Sequence, residues 1–211
     1  MLQILSKKKD AVKRLAVVFP GIGYTADRSL LYYSRRIAEQ AGYESMILSY
    51  KGFPKKVKGD REKLKKCCEI ALKQARELLS CTDLNDYDDV LFIGKSIGTV
   101  AAAKIASESS AADKIRLVLY TPLEATFAFP MKDAVAFTGT KDPWVGKGEY
   151  SIANLCEQRG IPCYLIKGGN HSLETEDVDR DLHSRPSQHD LQEGKAGNYG
   201  NVQELEQRCV V

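Results

Sequence analysis

Short apolar runs alternate along this chain with stretches in which apolar residues recur every three or four positions. The first run, 14–19, reads as a strand that ends at Pro20-Gly21. A helix is expected next, with Asp27 as its cap, Leu30, Ser34, Ile37, Ala38 and Ala41 on one face, and Gly42 as its stop. Residues 44–49 read as a second strand and 50–60 as a loop rich in Lys, Gly and Pro. A long helix is predicted over 61–79, its stripe formed by Leu64, Cys67, Ala71, Ala75 and Leu78.

The same alternation continues. Strands are expected at 89–93, 115–120, 134–138 and 163–167, and helices at 96–106 and 149–159. The strand at 89–93 is almost entirely apolar, as burial on both faces requires. The following helix carries Ala101, Ala102, Ala103 and Ala106, small residues that let a helix lie close to a sheet, so a central place is expected for it. Strand–helix repetition of this kind predicts an α/β fold, a mostly parallel sheet of about six strands with helices on both faces. A length of 211 residues suits one domain, 1–211, with a sizeable core. Only a short stretch separates Tyr120 from Ala134, so no large lid is expected. The tail departs from the pattern: 174–181 is acidic, 183–200 is polar and reads as a surface or partly disordered segment, and 201–209 reads as a short closing helix.

Charge adds little. Lys plus Arg is 31 against 28 for Asp plus Glu, a net +3 too small to argue for nucleic acid. The basic cluster at 51–66 is mixed with Asp60 and Glu62 and lacks interleaved aromatics, so it reads as a solvated loop and helix face. None of the six cysteines forms a CxxC pair or has zinc-ligand spacing. Reduced thiols and no metal or organic cofactor are therefore expected, in a cytoplasmic protein. The N-terminal apolar stretch precedes its lysines, the wrong order for a secretory signal. No apolar run approaches the roughly 20 residues that span a bilayer, so no membrane partner is expected.

Candidate chemistry lies just after the strands, where open parallel sheets gather their sites. The first strand leads into Pro20-Gly21-Ile22-Gly23-Tyr24, the third into Gly94-Lys95-Ser96-Ile97-Gly98, the fifth into Gly139-Thr140-Lys141-Asp142-Pro143-Trp144 and the sixth into Gly168-Gly169-Asn170-His171-Ser172. Ser96 falls on a sharp strand-to-helix turn, where Gly94 and Gly98 remove side chains that would collide. At a helix N-terminus, the dipole and free N–H groups favour developing negative charge. A serine hydroxyl needs a base, and His171 can take its proton; Asp142 can hold the imidazole tautomer. The N–H groups of Ile97 and Ile22 are candidates for an oxyanion hole. Tyr24, Lys95 and Trp144 are candidate substrate-binding residues. Lys95 also reads as a surface turn residue, Trp144 as a hydrophobic plug, and Tyr24 as packing.

The order GxSxG, Asp, His, each just after a strand, resembles the α/β-hydrolase family, and in particular its small, lidless esterase-like and dienelactone-hydrolase-like members. The runs 139–143 and 169–171 look like that family's acid and histidine loops. The resemblance covers about 15–173 and implies a triad of Ser96, Asp142 and His171. Two departures stand out. The family's His-Gly after the first of these strands is Pro20-Gly21 here, so Ile22 rests on position alone, and its two leading antiparallel strands find little room before Arg14.

The same residues admit competing readings. A phosphate loop needs a glycine where Asp89 stands, and its loop residues would be the apolar strand 90–93. Of three histidines, His183 and His189 lie in the polar tail. Glu124, just after the fourth strand, competes with Asp142 as the acid. The expected function is hydrolysis of a small-molecule acyl substrate, a carboxylic ester or related compound, by a monomer or homodimer. A non-catalytic hydrolase-like binding module, a peptidase and an acyltransferase remain alternatives on this fold.

Overall fold

The computed structural model describes residues 12–177. The N-terminal stretch before Val12 and the tail beyond Asp177 lie outside it, including the expected segment at 183–200 and helix at 201–209.

Six strands form one parallel sheet: β1 (Arg14–Phe19), β2 (Glu44–Ile47), β3 (Asp89–Lys95), β4 (Ile115–Tyr120), β5 (Asp133–Gly139) and β6 (Cys163–Ile166). Their order across the sheet is β2-β1-β3-β4-β5-β6, every neighbouring pair parallel. Chain direction across the sheet reverses between β1 and β3. The loops after these two strands therefore diverge around a crevice at the sheet's carboxyl edge, where ligands of open α/β sheets bind.

Strand alternation divides the core. Leu15, Val17, Phe19, Val90, Phe92, Leu117, Leu119 and Ala136 face one side. Ala16, Val18, Leu91, Ile93, Val118, Phe137 and Tyr164 face the other. The first face is covered by α2 (Arg61–Leu79), α3 (Ile97–Glu108) and α4 (Ile152–Gln158), which contribute Ala75, Leu79, Ala101, Ala106, Ile152 and Cys156. The second receives Leu31 and Ala38 of α1 (Ser29–Gln40). Helix α3 is buried almost all round, as its alanines predict: their small side chains let its axis lie close to the sheet.

Several expectations are corrected in detail. Arg28, rather than Asp27, occupies the N-cap of α1, and its side chain makes no capping bond. The Tyr24 hydroxyl instead accepts the Leu30 N–H at 3.2 Å. On the same helix Leu31 is buried while Ile37 is 42% exposed. On α2 the stripe ends in buried Leu79, and Leu78 is 47% exposed. The expected helix at 149–159 is broken: a 3₁₀ turn at Gly148–Tyr150 precedes α4. Ser151 causes the break, because its extended backbone interrupts the spiral while its side chain accepts the Asn154 N–H. Strand β3 runs through Gly94 and Lys95, which pair with Leu119 and Tyr120. The stretch between β4 and β5 holds a 3₁₀ turn at Glu124–Ala128, too short for a lid.

Candidate active site

Ser96 stands between β3 and α3 with φ 55° and ψ −121°, a left-handed strained conformation for a residue with a side chain. The neighbouring backbone holds it there. Its N–H donates to the Tyr120 carbonyl at 3.0 Å, and its carbonyl accepts the Thr99 N–H at 2.9 Å and the Thr99 hydroxyl at 2.6 Å. The glycines of the run are required by space. A Cβ on Gly98 would lie 2.1 Å from the Phe19 carbonyl oxygen, and one on Gly94 would lie 2.9 Å from the Thr99 Cα. Helix α3 can therefore start against the end of β1 only because Gly98 lacks a side chain, and fold back over the end of β3 only because Gly94 does. The loop after β1 closes in as well: a Cβ on Gly21 would meet Ser96 Cβ at 3.3 Å.

His171 comes from the loop after β6, and its Nε2 lies 2.9 Å from Ser96 Oγ. Its Nδ1 lies 2.8 Å from Asp142 Oδ2. The second carboxylate oxygen, Oδ1, accepts the Trp144 N–H at 2.9 Å. An ionised carboxylate only accepts, so Nδ1 carries the imidazole proton and Nε2 is left to accept the Ser96 hydroxyl proton. Burial is graded along this line: the Asp142 side chain is 1% exposed and that of His171 29%. The acid is fixed inside while the imidazole reaches the open side.

The acid and histidine loops are built against one another. The Lys141 N–H donates to the Gly169 carbonyl at 2.9 Å, and the Gly168 N–H to the Thr140 hydroxyl at 2.8 Å. A Cβ on Gly139 would lie 2.1 Å from the Gly169 carbonyl oxygen, so the close approach demands glycine there. The Asn170 side chain folds the next turn by accepting the Ser172 and Glu174 N–H groups. Glu124, the competing acid, is exposed at the start of its 3₁₀ turn, and the imidazole is held by Asp142.

Ile97 is the first residue of α3 and fully buried; its N–H lies in the first helical turn, where amides lack intrahelical acceptors. Ile22 is 38% exposed in the turn closed by the Gly21 N–H and the Tyr24 carbonyl. Trp144 packs into an apolar cluster with Ile97, Val100 and Leu123, joined by Tyr50, Phe53 and Phe129. This cluster draws on the 50–60 loop, the start of α3 and the turn after β4, and it adjoins the serine through Ile97. Burial raises the Tyr50 phenol.

Lys95 is corrected most: it is 1% exposed, not a surface residue. Its Nζ donates to the Thr121 hydroxyl at 2.5 Å and to the His171 carbonyl at 2.6 Å, and sits 5.1 Å from the centre of the Tyr24 ring. Thr121 escaped the sequence reading. It is fully buried with φ 42°, and nothing in its local pattern marks it. Lys95 did carry a signal, since a lysine closes an otherwise apolar strand. Among the described residues no group of His, Cys, Asp and Glu could hold a metal ion, and no helix is long and apolar enough to cross a membrane.

The chain has the α/β-hydrolase fold. Est1E from Butyrivibrio proteoclasticus, solved with ferulic acid bound, is similar at 15% identity and a TM-score of 0.56, over 81% of this chain and 86% of that one. An alpha-beta serine hydrolase homologue from Coxiella burnetii is similar at 16% identity and a TM-score of 0.54, over 77% and 79%. A serine hydrolase without a lid from Xanthomonas campestris is similar at 13% identity and a TM-score of 0.50, over 79% and 77%. No family model and no curated protein sequence matches the chain.

Proposed function

We propose that this chain is a serine hydrolase that cleaves a small carboxylic ester through an acyl-enzyme on Ser96. The observation that carries this reading is the continuous line Asp142 Oδ2–His171 Nδ1 at 2.8 Å and His171 Nε2–Ser96 Oγ at 2.9 Å. In this reading Ser96 Oγ attacks the ester carbonyl carbon while His171 Nε2 takes the hydroxyl proton. Asp142 holds the tautomer and stabilises the imidazolium. The oxyanion of the tetrahedral intermediate accepts the N–H groups of Ile97 and Ile22. Collapse breaks the bond to the leaving alkoxide, which receives the proton from His171. Water, deprotonated by the same imidazole, then releases the acid and restores Ser96.

The apolar cluster of Trp144, Phe53, Leu123 and Phe129 beside Ile97 favours an apolar acyl or alkyl group. The bound ferulic acid of the Butyrivibrio protein is in keeping with an ester-derived acid at such a site. A panel of aryl esters of graded acyl length, run with wild type and Ser96→Ala, tests the reading. Loss of a triad serine costs on the order of 10⁶ in turnover, so Ser96→Ala should stay folded and inactive. Retention of a substantial share of wild-type turnover would refute it.

A further inference from the structure

We propose that Lys95 is a positioning residue for the base: its buried ammonium pins the His171 main chain to Thr121 and so aims the imidazole at Ser96. The proposal rests on the hydrolase reading for its catalytic consequence, and on geometry for its structural one. Lys95 is the last residue of β3 and the neighbour of Ser96. Its side chain crosses beneath the carboxyl end of β4, touches Thr121 at 2.5 Å, and reaches the His171 carbonyl oxygen at 2.6 Å. Three separate segments, the serine turn, the end of β4 and the histidine loop, are thereby joined at one nitrogen.

The physical case begins with cost. A fully buried ammonium is unfavourable unless its donors are satisfied. Here the two hydrogen bonds are charge-assisted and the Tyr24 ring faces the same nitrogen at 5.1 Å. Burial still pushes the ammonium down to about 8, against the attraction of Asp142 and Glu174. The groups around it are thus Thr121, Tyr24, the His171 carbonyl, and the carboxylates of Asp142 and Glu174. A methionine or leucine would fill the same space without that burden, yet neither could hold a carbonyl.

What the bond secures is a short turn on a weak support. Strand β6 has four residues and pairs on one side with β5. His171 sits five residues beyond it, in a turn otherwise fixed by Asn170 and by contacts to the acid loop. The carbonyl of His171 is only a few bonds from the ring. Fixing it limits rotation of the whole residue about the turn, which keeps Nε2 at bonding distance from Ser96.

The test uses the full chain with Lys95→Met, which retains bulk and removes the donors. Two readouts are needed: hydrogen exchange of the 168–174 segment, and kcat and KM for an ester that wild type cleaves. The expected result is selectively faster exchange in that segment and a loss in kcat that reaches on the order of 10²-fold, the scale of an ångström-sized misplacement, with KM little changed. A general packing role would instead speed exchange across the sheet. Unchanged 168–174 exchange or unchanged kcat in a folded Lys95→Met protein would overturn the proposal. Should Lys95→Met fail to fold, Thr121→Val, which removes one partner of the ammonium, must show the same changes in weaker form; no change in either readout overturns it equally. Ser96→Ala measured alongside separates the two claims, because an unaffected Ser96→Ala removes the hydrolase reading while loop exchange still reports on the brace.

Discussion

At the scale of single residues, the site turns on where individual atoms are allowed to be. Gly98 shows this most sharply: its missing Cβ is the space occupied by the Phe19 and Pro20 carbonyl oxygens, at 2.1 and 2.6 Å. Both contacts are backbone, which cannot swing aside. Gly98→Ala should therefore cost about 1–3 kcal/mol or more, as overpacking does, and urea unfolding would measure it. Asp142 illustrates the second kind of constraint. Each of its oxygens has a partner, and the buried carboxylate fixes the imidazole tautomer. Asp142→Asn should lower turnover on the order of 10⁴-fold with the fold intact, while Glu124→Gln leaves it near wild type; steady-state kinetics on both variants checks this. The sequence made Ser96, His171 and Asp142 legible because each occupies a turn with its own glycines. Chain order favours Asp142 over Glu124, since it follows the strand just before that of His171, but both follow strands and the contact itself depends on the tertiary meeting of the β5 and β6 loops. Thr121 and the burial of Lys95 were hidden for a related reason: the partners of the lysine come from the ends of other strands.

At the scale of elements, periodicity was enough for strand count, order of elements and most boundaries. It was weakest at helix phase. On α2 the apolar stripe reaches both Leu78 and Leu79, and only packing against the sheet selects Leu79, 8% exposed, over Leu78, 47% exposed. Leu79→Ala should cost about 2–5 kcal/mol, as buried leucine truncations do. Leu78→Ala should stay within about 0.5 kcal/mol of wild type. Equal losses on denaturant unfolding would contradict the observed rotation of the helix. The break before α4 has the same origin in competition between local signals: the apolar spacing suits a continuous helix, but Ser151 satisfies the helix's free amides better as a cap. Likewise, the α1 terminus shows an unusual substitute for a cap, with the Tyr24 phenol, six residues before Leu30, serving where Asp27 was expected.

At the scale of the whole molecule, the sheet places one strained turn and two paired loops at a single edge, and a buried cation beneath them. That cation has a consequence for stability. The Lys95 value falls from 10.5 to about 8 on folding. Between these values the unfolded chain binds the proton and the folded chain does not, so wild-type stability should rise with pH over that window. Below about 8 both states are protonated and the slope vanishes. Groups raised by burial, such as Cys68 and Tyr43, each at about 12, act in the opposite sense at high pH. They remain in Lys95→Met, so the difference between the two proteins isolates the lysine. Chemical denaturation from pH 7 to 10 should show wild type gaining relative to Lys95→Met; a constant difference would contradict a buried ammonium.

The central claim is that Ser96 is a nucleophile activated by His171, and covalent labelling by a fluorophosphonate probe tests it most directly. The probe phosphonylates an activated serine hydroxyl with loss of fluoride and needs no knowledge of the natural ester. The account predicts one equivalent of label on the wild-type chain, located at Ser96 by peptide mass, absent from Ser96→Ala and strongly slowed in His171→Ala. An unlabelled, folded wild-type chain, or equal labelling of Ser96→Ala, would contradict it.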